Sequence, residues 1–442
     1  MSVASELETL QTNIGAAYTA IGNKGGTVPA NKNTDNLATA INSISGGGGG
    51  GMDPTDPQSV YEATRPSDWL EMPTPAENEV YYLWQIPNSI TDAQTMKLAV
   101  TTSNSSASRS VEFGTITGGT FVPDADISYT TTNANTVTTS IPVNKFGNLT
   151  SENKVQLMVK VSSTSPITKV EDTYNEGQAK NYIVEISGDL PSLTSRLWLA
   201  GTGLKYVSMK HTNMNSFQGV FNQCYNLLAV LALDTSHSTS FESTFAYCYN
   251  LIAIPQINTS SGTNFQYMFS NCYSLTKMPQ LNLSSASGYG LQNMFSNCYG
   301  ITELPSFGNY GSSVSGFQSF MGFPKLAYLD LTGLTIPSTI SASYALYGLA
   351  TVAPGAVVNF NANIPGGMLK ENSGMGGIIN GSSFRYKVKI KFPQQTKIGL
   401  NYSASSLFPS CIVYVPDDLL AEYQADSYWS DLGDNLKGMS EF

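Results

Sequence analysis

One short phrase recurs four times in this chain: Phe221-Asn-Gln-Cys224-Tyr-Asn-Leu227, Phe245-Ala-Tyr-Cys248-Tyr-Asn-Leu251, Phe269-Ser-Asn-Cys272-Tyr-Ser-Leu275 and Phe295-Ser-Asn-Cys298-Tyr-Gly-Ile301. The cysteines are 24, 24 and 26 residues apart. A unit of this length is too small to bury an apolar face alone, so it must stack on its neighbours as a coil of a solenoid. Stacking then decides the fold, and function has to be sought on the surface of the stack.

Within each unit the apolar residues fall at Phe217, Phe221 and Cys224, and Phe241/Phe245/Cys248, Phe265/Phe269/Cys272 and Leu291/Phe295/Cys298 repeat the spacing. Intervals of four and three match one face of a helix, which predicts a short helix in every coil. A turn of Tyr plus a small polar residue follows. Runs such as Leu251-Ile-Ala-Ile254 and Leu275-Thr-Lys-Met278 are then expected to be strands of a parallel stack, ended by Pro255, Pro279 and Pro305, which cannot donate to a ladder. One stacked sheet is predicted from about residue 193 to 340, with Ala200–Val207 and Phe320–Leu326 as degenerate flanking units.

The segment Met268-Phe269-Ser-Asn-Cys272-Tyr-Ser-Leu275-Thr-Lys-Met278-Pro279, echoed from Met294 to Pro305, resembles the BspA-type leucine-rich repeat. That resemblance implies bacterial adhesins or, in phages, host-binding tail proteins. Cys411-Ile-Val-Tyr-Val-Pro416, with Leu419-Leu-Ala-Glu-Tyr423 and Trp429 after it, is similar to the closing segment of such arrays.

Near the start, Leu7, Leu10, Ile14, Ala17 and Ile21 alternate at spacings of three and four, the seam of a coiled coil just over two heptads long. So short a helix is marginal alone and needs a partner, a second copy or its own domain to dock on. Leu37, Ala40, Ile41 and Ile44 give a second short pattern, and the run from Leu7 to Ile44 resembles the N-terminal segment of tail and fibre proteins of phages of Gram-positive hosts. The opening residues carry neither a basic nor an apolar export region, which favours a virion component over a secreted adhesin. Six glycines, Gly46 to Gly51, form a linker, because glycine there adds backbone freedom and no packing surface.

From Tyr61 to Ser187 the chain turns to short β-rich runs separated by Gly, Pro, Asn and Ser clusters, the pattern of a β-sandwich. Thr64-Arg-Pro-Ser-Asp-Trp69-Leu-Glu-Met-Pro73 reads as an entry segment, also seen in phage tail proteins; Arg65, Asp68 and Trp69 are either a binding loop or an anchoring Trp beside a solvated ion pair. Strict alternation over Phe384–Phe392 puts Arg385, Lys387, Lys389 and Lys391 on one strand face. That face either meets an anionic cell-wall polymer or is the solvated side of an exposed strand.

Chemistry is sparse. The five cysteines, Cys224, Cys248, Cys272, Cys298 and Cys411, include no Cys-x-x-Cys pair and read as buried thiols, reduced and without a metal. Between Gly201 and Phe320 the only carboxylates are Asp234, Glu242 and Glu303, too few for the paired acids of a glycosidase. No nucleophile elbow, zincin or Walker motif is present, so no catalytic residue and no cofactor is assigned. Net charge −10 argues against a nucleic-acid partner, and no apolar run approaches a membrane span. What stands out is the column Tyr225, Tyr249, Tyr273 and Tyr299, each directly after its Cys. These rings either contact a sugar or protein surface or stack on one another to seal the coil edge.

The expected fold is therefore mainly β and multidomain: N-terminal helices (1–45), a Gly-rich linker (46–59), a β-sandwich (60–190), a leucine-rich-repeat α/β solenoid (191–340) and degenerate repeats with a C-terminal cap (341–442). The expected function is non-enzymatic host recognition by a virion-associated protein. Leu7, Leu10, Ile14 and Ile21 would join it to other virion proteins or to copies of itself, and the tyrosine column would bind a host cell-surface glycan or protein. A structural head or tail decoration, a secreted adhesin and, less favoured, a polysaccharide depolymerase are the alternatives.

Overall fold

The computed structural model describes residues 52–90, 94–131, 136–141, 146–147, 149–172, 181–194, 203–288, 290–304, 313–314, 325–331, 353, 355–360, 388–400, 403–408 and 411–442. The N-terminal seam and the glycine linker lie outside these residues, as do Arg385 and Lys387.

Helix α1 (Pro57–Thr64) begins where Asp56 accepts from the backbone N–H groups of Gln58 and Ser59 and Pro57 presets the first helical φ. The strands that follow are β1 (Glu79–Pro87), β2 (Gln94–Thr102), β3 (Arg109–Thr117), β4 (Thr120–Pro123), β5 (Tyr129–Thr131), β6 (Thr136–Ile141), β7 (Lys154–Ser163), β8 (Ile167–Asp172) and β9 (Ile183–Asp189). Strand β1 is buried on both faces: Val80, Tyr82, Trp84 and Ile86 enter one core, and Tyr81 and Leu83 the other. Strands β6, β2 and β8 form a separate three-stranded antiparallel sheet.

Strand β9 is the joint of the molecule. It pairs antiparallel with β1 on one side and parallel with β10 (Tyr206–Met209) on the other, and β10 pairs parallel with β11 (Ala229–Leu233). The eight-stranded sheet therefore runs without a break, in the order β11-β10-β9-β1-β7-β3-β4 with β5 also paired to β3, from solenoid coils into antiparallel structure. An end coil left bare would offer unpaired N–H and C=O groups to any passing strand; β1 covers them.

Beyond this sheet the chain is a β-solenoid of about seven turns, and the protein as a whole is mainly β. Short parallel pieces continue it: β12 (Ser287–Gly288) with β13 (Ser313–Val314), then β14 (Tyr328–Leu331), β15 (Val357–Phe360), β16 (Lys389–Lys391), β17 (Ile412–Val415) and β18 (Leu436–Gly438) in one parallel sheet. The ladder thus reaches Gly438, well past residue 340. Around its last coils Tyr423 and Trp429 are fully buried, and the Trp429 indole donates to the Ile398 carbonyl at 2.7 Å.

The helix expected in each coil is absent. Residues 217–224, 241–248, 265–272 and 291–298 form pairs of consecutive four-residue turns instead. In the first coil Val220 N–H donates to the Phe217 carbonyl and Cys224 N–H to that of Phe221, while Gly219 and Gln223, third in each turn, have φ of 65° and 62°. Ser243 and Tyr247, Tyr267 and Asn271, and Asn293 and Asn297 repeat the left-handed φ in the next three coils. A turn of four residues repeated without a gap has the same spacing of buried residues as one helical face, so apolar periodicity alone cannot tell them apart.

These turns stack by backbone hydrogen bonds between coils. Phe217, Gly219, Phe221 and Gln223 donate to the carbonyls of Ser240, Glu242, Thr244 and Ala246 at 2.8–2.9 Å, and the next pair of coils repeats the pattern. The runs expected as strands are shorter than predicted. Ala253 makes an isolated parallel bridge to Ala229, and no strand forms at Leu275–Met278. Pro255 and Pro279, with no N–H to give, curtail that side of the coil, so the turn edge carries most of the stacking.

Inside, identical side chains pile up. Phe217, Phe241 and Phe265 stack with centroids 6.3 and 5.3 Å apart, and Phe221, Phe245, Phe269 and Phe295 at 5.4, 5.5 and 5.8 Å. Each such pair contributes about 0.5–1.5 kcal/mol beyond its burial. Phe245, fully buried between two rings, is expected to cost about 3–5 kcal/mol when replaced by Ala. Conversely, Gln223→Gly should raise stability by about 0.5–1 kcal/mol, because it relieves a left-handed φ at an exposed position that Gly219 already fills in the preceding turn. Denaturant unfolding of the two variants measures both; a stabilised Phe245→Ala or a destabilised Gln223→Gly would contradict the stacked-turn structure.

Candidate functional site

The turn edge has two faces because successive side chains alternate. Cys224, Cys248, Cys272 and Cys298 point inward and are fully buried, which turns the following tyrosine out. Tyr225, Tyr273 and Tyr299 are 40–45% exposed, and Tyr249 is partly buried between two of them. All four rings stack: centroids are 5.1, 4.9 and 5.5 Å apart, with interplanar angles of 21°, 2° and 9°. The inner rings therefore spend their faces on each other. What they present outward is ring edges and hydroxyls.

A polar row runs beside the column. The Tyr299 hydroxyl donates to Asn297 Oδ1 at 2.9 Å, Asn297 Nδ2 to Asn271 Oδ1 at 2.9 Å, and the Tyr273 hydroxyl to the same Asn271 oxygen at 3.3 Å. Asn250 Nδ2 donates to the Tyr225 carbonyl at 2.8 Å. Burial and the neighbouring Tyr249, Tyr299 and Tyr247 hydroxyls push the Tyr273 phenol up. The Tyr273 hydroxyl is thus neutral at physiological pH. Tyr247 and Tyr267 add two exposed rings at the left-handed turn positions, 42% and 38% accessible, and Tyr247 meets Tyr249 edge-on at 6.3 Å.

The thiol column does something the sequence reading missed. Cys248, Cys272 and Cys298 donate Sγ–H to the carbonyls of Phe221, Phe245 and Phe269 in the preceding coil, at 3.1, 3.2 and 3.1 Å. A small apolar side chain with a weak donor is what this position demands, and the recurrence of Cys rather than Val or Ala was the available signal. None of the five cysteines is in a disulfide.

Another polar ladder sits at a different corner of the coils. Asn258 Oδ1 accepts from Ser260 and Asn282 Oδ1 from Ser284, and the Thr235 and Thr259 hydroxyls donate to the Asn258 and Asn282 carbonyls one coil on, at 2.8 and 2.9 Å. An open groove of about 720 Å³ runs over Gln256–Ser260 and Gln280–Ser284. No ionisable side chain lines it.

Arg65 and Trp69 do not form a free loop. Trp69 is 8% exposed, and the Arg65 guanidinium lies over the rings of Tyr61 and Trp69 while its Nε binds Glu185 Oε2 at 2.8 Å. Tyr61 donates to the other Glu185 oxygen at 2.7 Å. This ion pair is buried rather than solvated, with Glu185 side-chain exposure of only 3%. Burial pushes the Glu185 carboxyl up, and Arg65 and Tyr61 oppose the shift. Asp68 accepts from the Ser151 backbone, fastening the entry segment to the start of β7. The segment is a clasp across the β9 joint.

Lys389 and Lys391 lie on an interior strand, β16, paired on both sides, with their ammonium groups 5.1 and 3.2 Å from the centroid of the Phe442 ring. Among the described residues no group of His, Cys, Asp and Glu could hold a metal, and no helix is long and apolar enough to cross a membrane.

Compared with protein-family models and with curated protein sequences, the chain matches none.

Burial pushes the Cys298 and Cys411 thiols up from 9.0 to about 12 and raises Cys248 and Cys272 well above the ordinary range. A thiol with a raised folded pKa contributes stability that is complete below about pH 9 and is lost as pH climbs toward 12. At pH 8 a maleimide is expected to label no cysteine in the native protein and all five after denaturation. Rapid labelling of the native chain would show that the coils open.

Proposed function

We propose that this is a virion-associated, non-enzymatic host-recognition protein that binds a host cell-surface glycan or protein through its solenoid. The observation that carries the reading is the column Tyr225–Tyr299: four stacked tyrosines, three exposed and one partly buried, held at nearly constant spacing on a backbone ladder. Tyrosine is the residue of choice at recognition surfaces, because it combines contact area, a hydroxyl and low entropy loss. Repetition supplies avidity, so contacts that are weak singly suffice when several coils engage one polymer.

Residues 60–190 belong in this reading as a β-sandwich that seats the solenoid. Val100, Ile167 and Val170, on strands β2 and β8 of the three-stranded sheet, share a core with Trp84 and Leu157 of the large one, which supports it. Residues 1–45, with Leu7, Leu10, Ile14 and Ile21, would attach the chain to other virion proteins or to its own copies, with the glycine run as the hinge. The N-terminal likeness to phage tail proteins favours a virion over a cell surface, and the leucine-rich-repeat likeness of Met268–Pro279 fits either.

Particles carrying the quadruple Tyr225/Tyr249/Tyr273/Tyr299→Ala variant are expected to lose adsorption to host cells, whereas any single Ala variant should lose little. Normal adsorption by a folded quadruple variant would move recognition off the solenoid edge.

A further inference from the structure

The tyrosine column fixes more than a place for contact. We infer that its ligand is a linear, neutral glycan lying along the solenoid axis in an extended conformation, held by phenol hydroxyls one saccharide ring per coil. This rests on the reading that the column is the binding surface, and adds the class of ligand and the way it is held.

Three features select that ligand. The first is the closed ring stack. Parallel rings 4.9–5.5 Å apart leave no room for a sugar between them, so the inner tyrosines cannot offer the flat faces on which sugars usually lie. Recognition has to be edge-on, through oxygen. The second is hydrogen-bond polarity. The Tyr273 and Tyr299 hydroxyls already donate to Asn271 and Asn297, so their oxygens are left to accept. A ligand must donate at these two steps, as sugar hydroxyls do.

The third is spacing. A peptide strand turns an N–H toward the same edge every second residue, about 6.6–6.8 Å, which falls out of step with the column after one coil. A ribbon of pyranose rings joined through equatorial bonds advances by about one ring per coil and stays in step. Charge agrees: the turn segments 217–227, 241–251, 265–275 and 291–301 contain no Lys or Arg to hold a phosphate or a carboxylate.

The test uses immobilised hexasaccharides of three kinds, an extended β(1→4)-linked one, a helical α(1→4)-linked one and a β(1→3)-linked one, against the full chain and two quadruple variants. Tyr225/Tyr249/Tyr273/Tyr299→Phe keeps the ring stack and removes only the hydroxyls, so it reports on hydrogen bonding without loss of packing; its unfolding midpoint serves as the control for folding. The β(1→4) hexasaccharide is expected to bind tighter than the α(1→4) one, and the Phe variant to bind it at least tenfold more weakly than the unaltered chain. Equal binding by the Phe variant, preference for the α(1→4) helix, or no binding to any of the three would overturn the inference. Host adsorption separates the two levels. If the Ala variant loses adsorption and the Phe variant keeps it, the column is the recognition surface and the edge-on glycan is wrong; if the Ala variant still adsorbs, the recognition reading itself fails.

Discussion

Everything in this molecule hangs on the backbone hydrogen bonds between stacked turns. In the coils at 217–224, 241–248 and 265–272 alternate N–H groups along the turn edge donate to the next coil, and the intervening ones close the turns within the coil. Two left-handed residues per coil are the cost, roughly 1–2 kcal/mol each where a side chain is present. The phenylalanine stacks and the thiol-to-carbonyl bonds offset that cost, and both exist only because the ladder holds equivalent residues in line. Buried order and exposed order therefore have one origin. The same translation that stacks Phe245 on Phe221 stacks Tyr249 on Tyr225.

A ladder has ends, and the chain deals with the first by making the neighbouring unit part of the same sheet. Strand β9 is at once the last antiparallel strand and the first coil strand. The clasp of Arg65 and Tyr61 on Glu185, with Trp69 against the guanidinium, lies across this joint, and the buried carboxylate is tolerable because both oxygens are bonded and a guanidinium stands beside it. Breaking one partner there would leave a charge without compensation, whereas the surface pair Lys277–Glu303 carries no such consequence. A solenoid fixed in this way is a rigid presenter of whatever lines its edge.

Much of this was legible in the residues. The 24-residue period announced stacked coils, the Cys positions announced buried thiols, and the Tyr after each Cys announced an outward column. Helix and turn, however, share the four-residue spacing, so Phe217/Phe221/Cys224 pointed to the wrong local structure. A better clue was there: Gly219, Asn271, Asn293 and Asn297 recur third in the turns, and Gly and Asn are the residues that accept left-handed φ most readily. Ser243, Gln223, Tyr247 and Tyr267 hid the signal, because the ladder forces the same φ on them regardless of their preference. The Arg65–Glu185 pair, 120 residues apart in the chain, and the place of Lys389 and Lys391 inside a sheet depend on the tertiary path, which no local pattern encodes.

The central claim is that the coil edge is a stack of left-handed turns and not a row of helices, and the tyrosines report on it directly. Tyr247 and Tyr267 have φ of 62° and 56°, whereas Tyr225, Tyr249, Tyr273 and Tyr299 are not among the left-handed residues. Solution NMR of protein labelled only at tyrosine, read through backbone chemical shifts and amide-to-Hα couplings, measures the sign of φ at each. Positive φ at Tyr247 and Tyr267 alone among these six is the predicted result; helical, negative φ at both would contradict the stacked-turn ladder and the spacing of the column built on it.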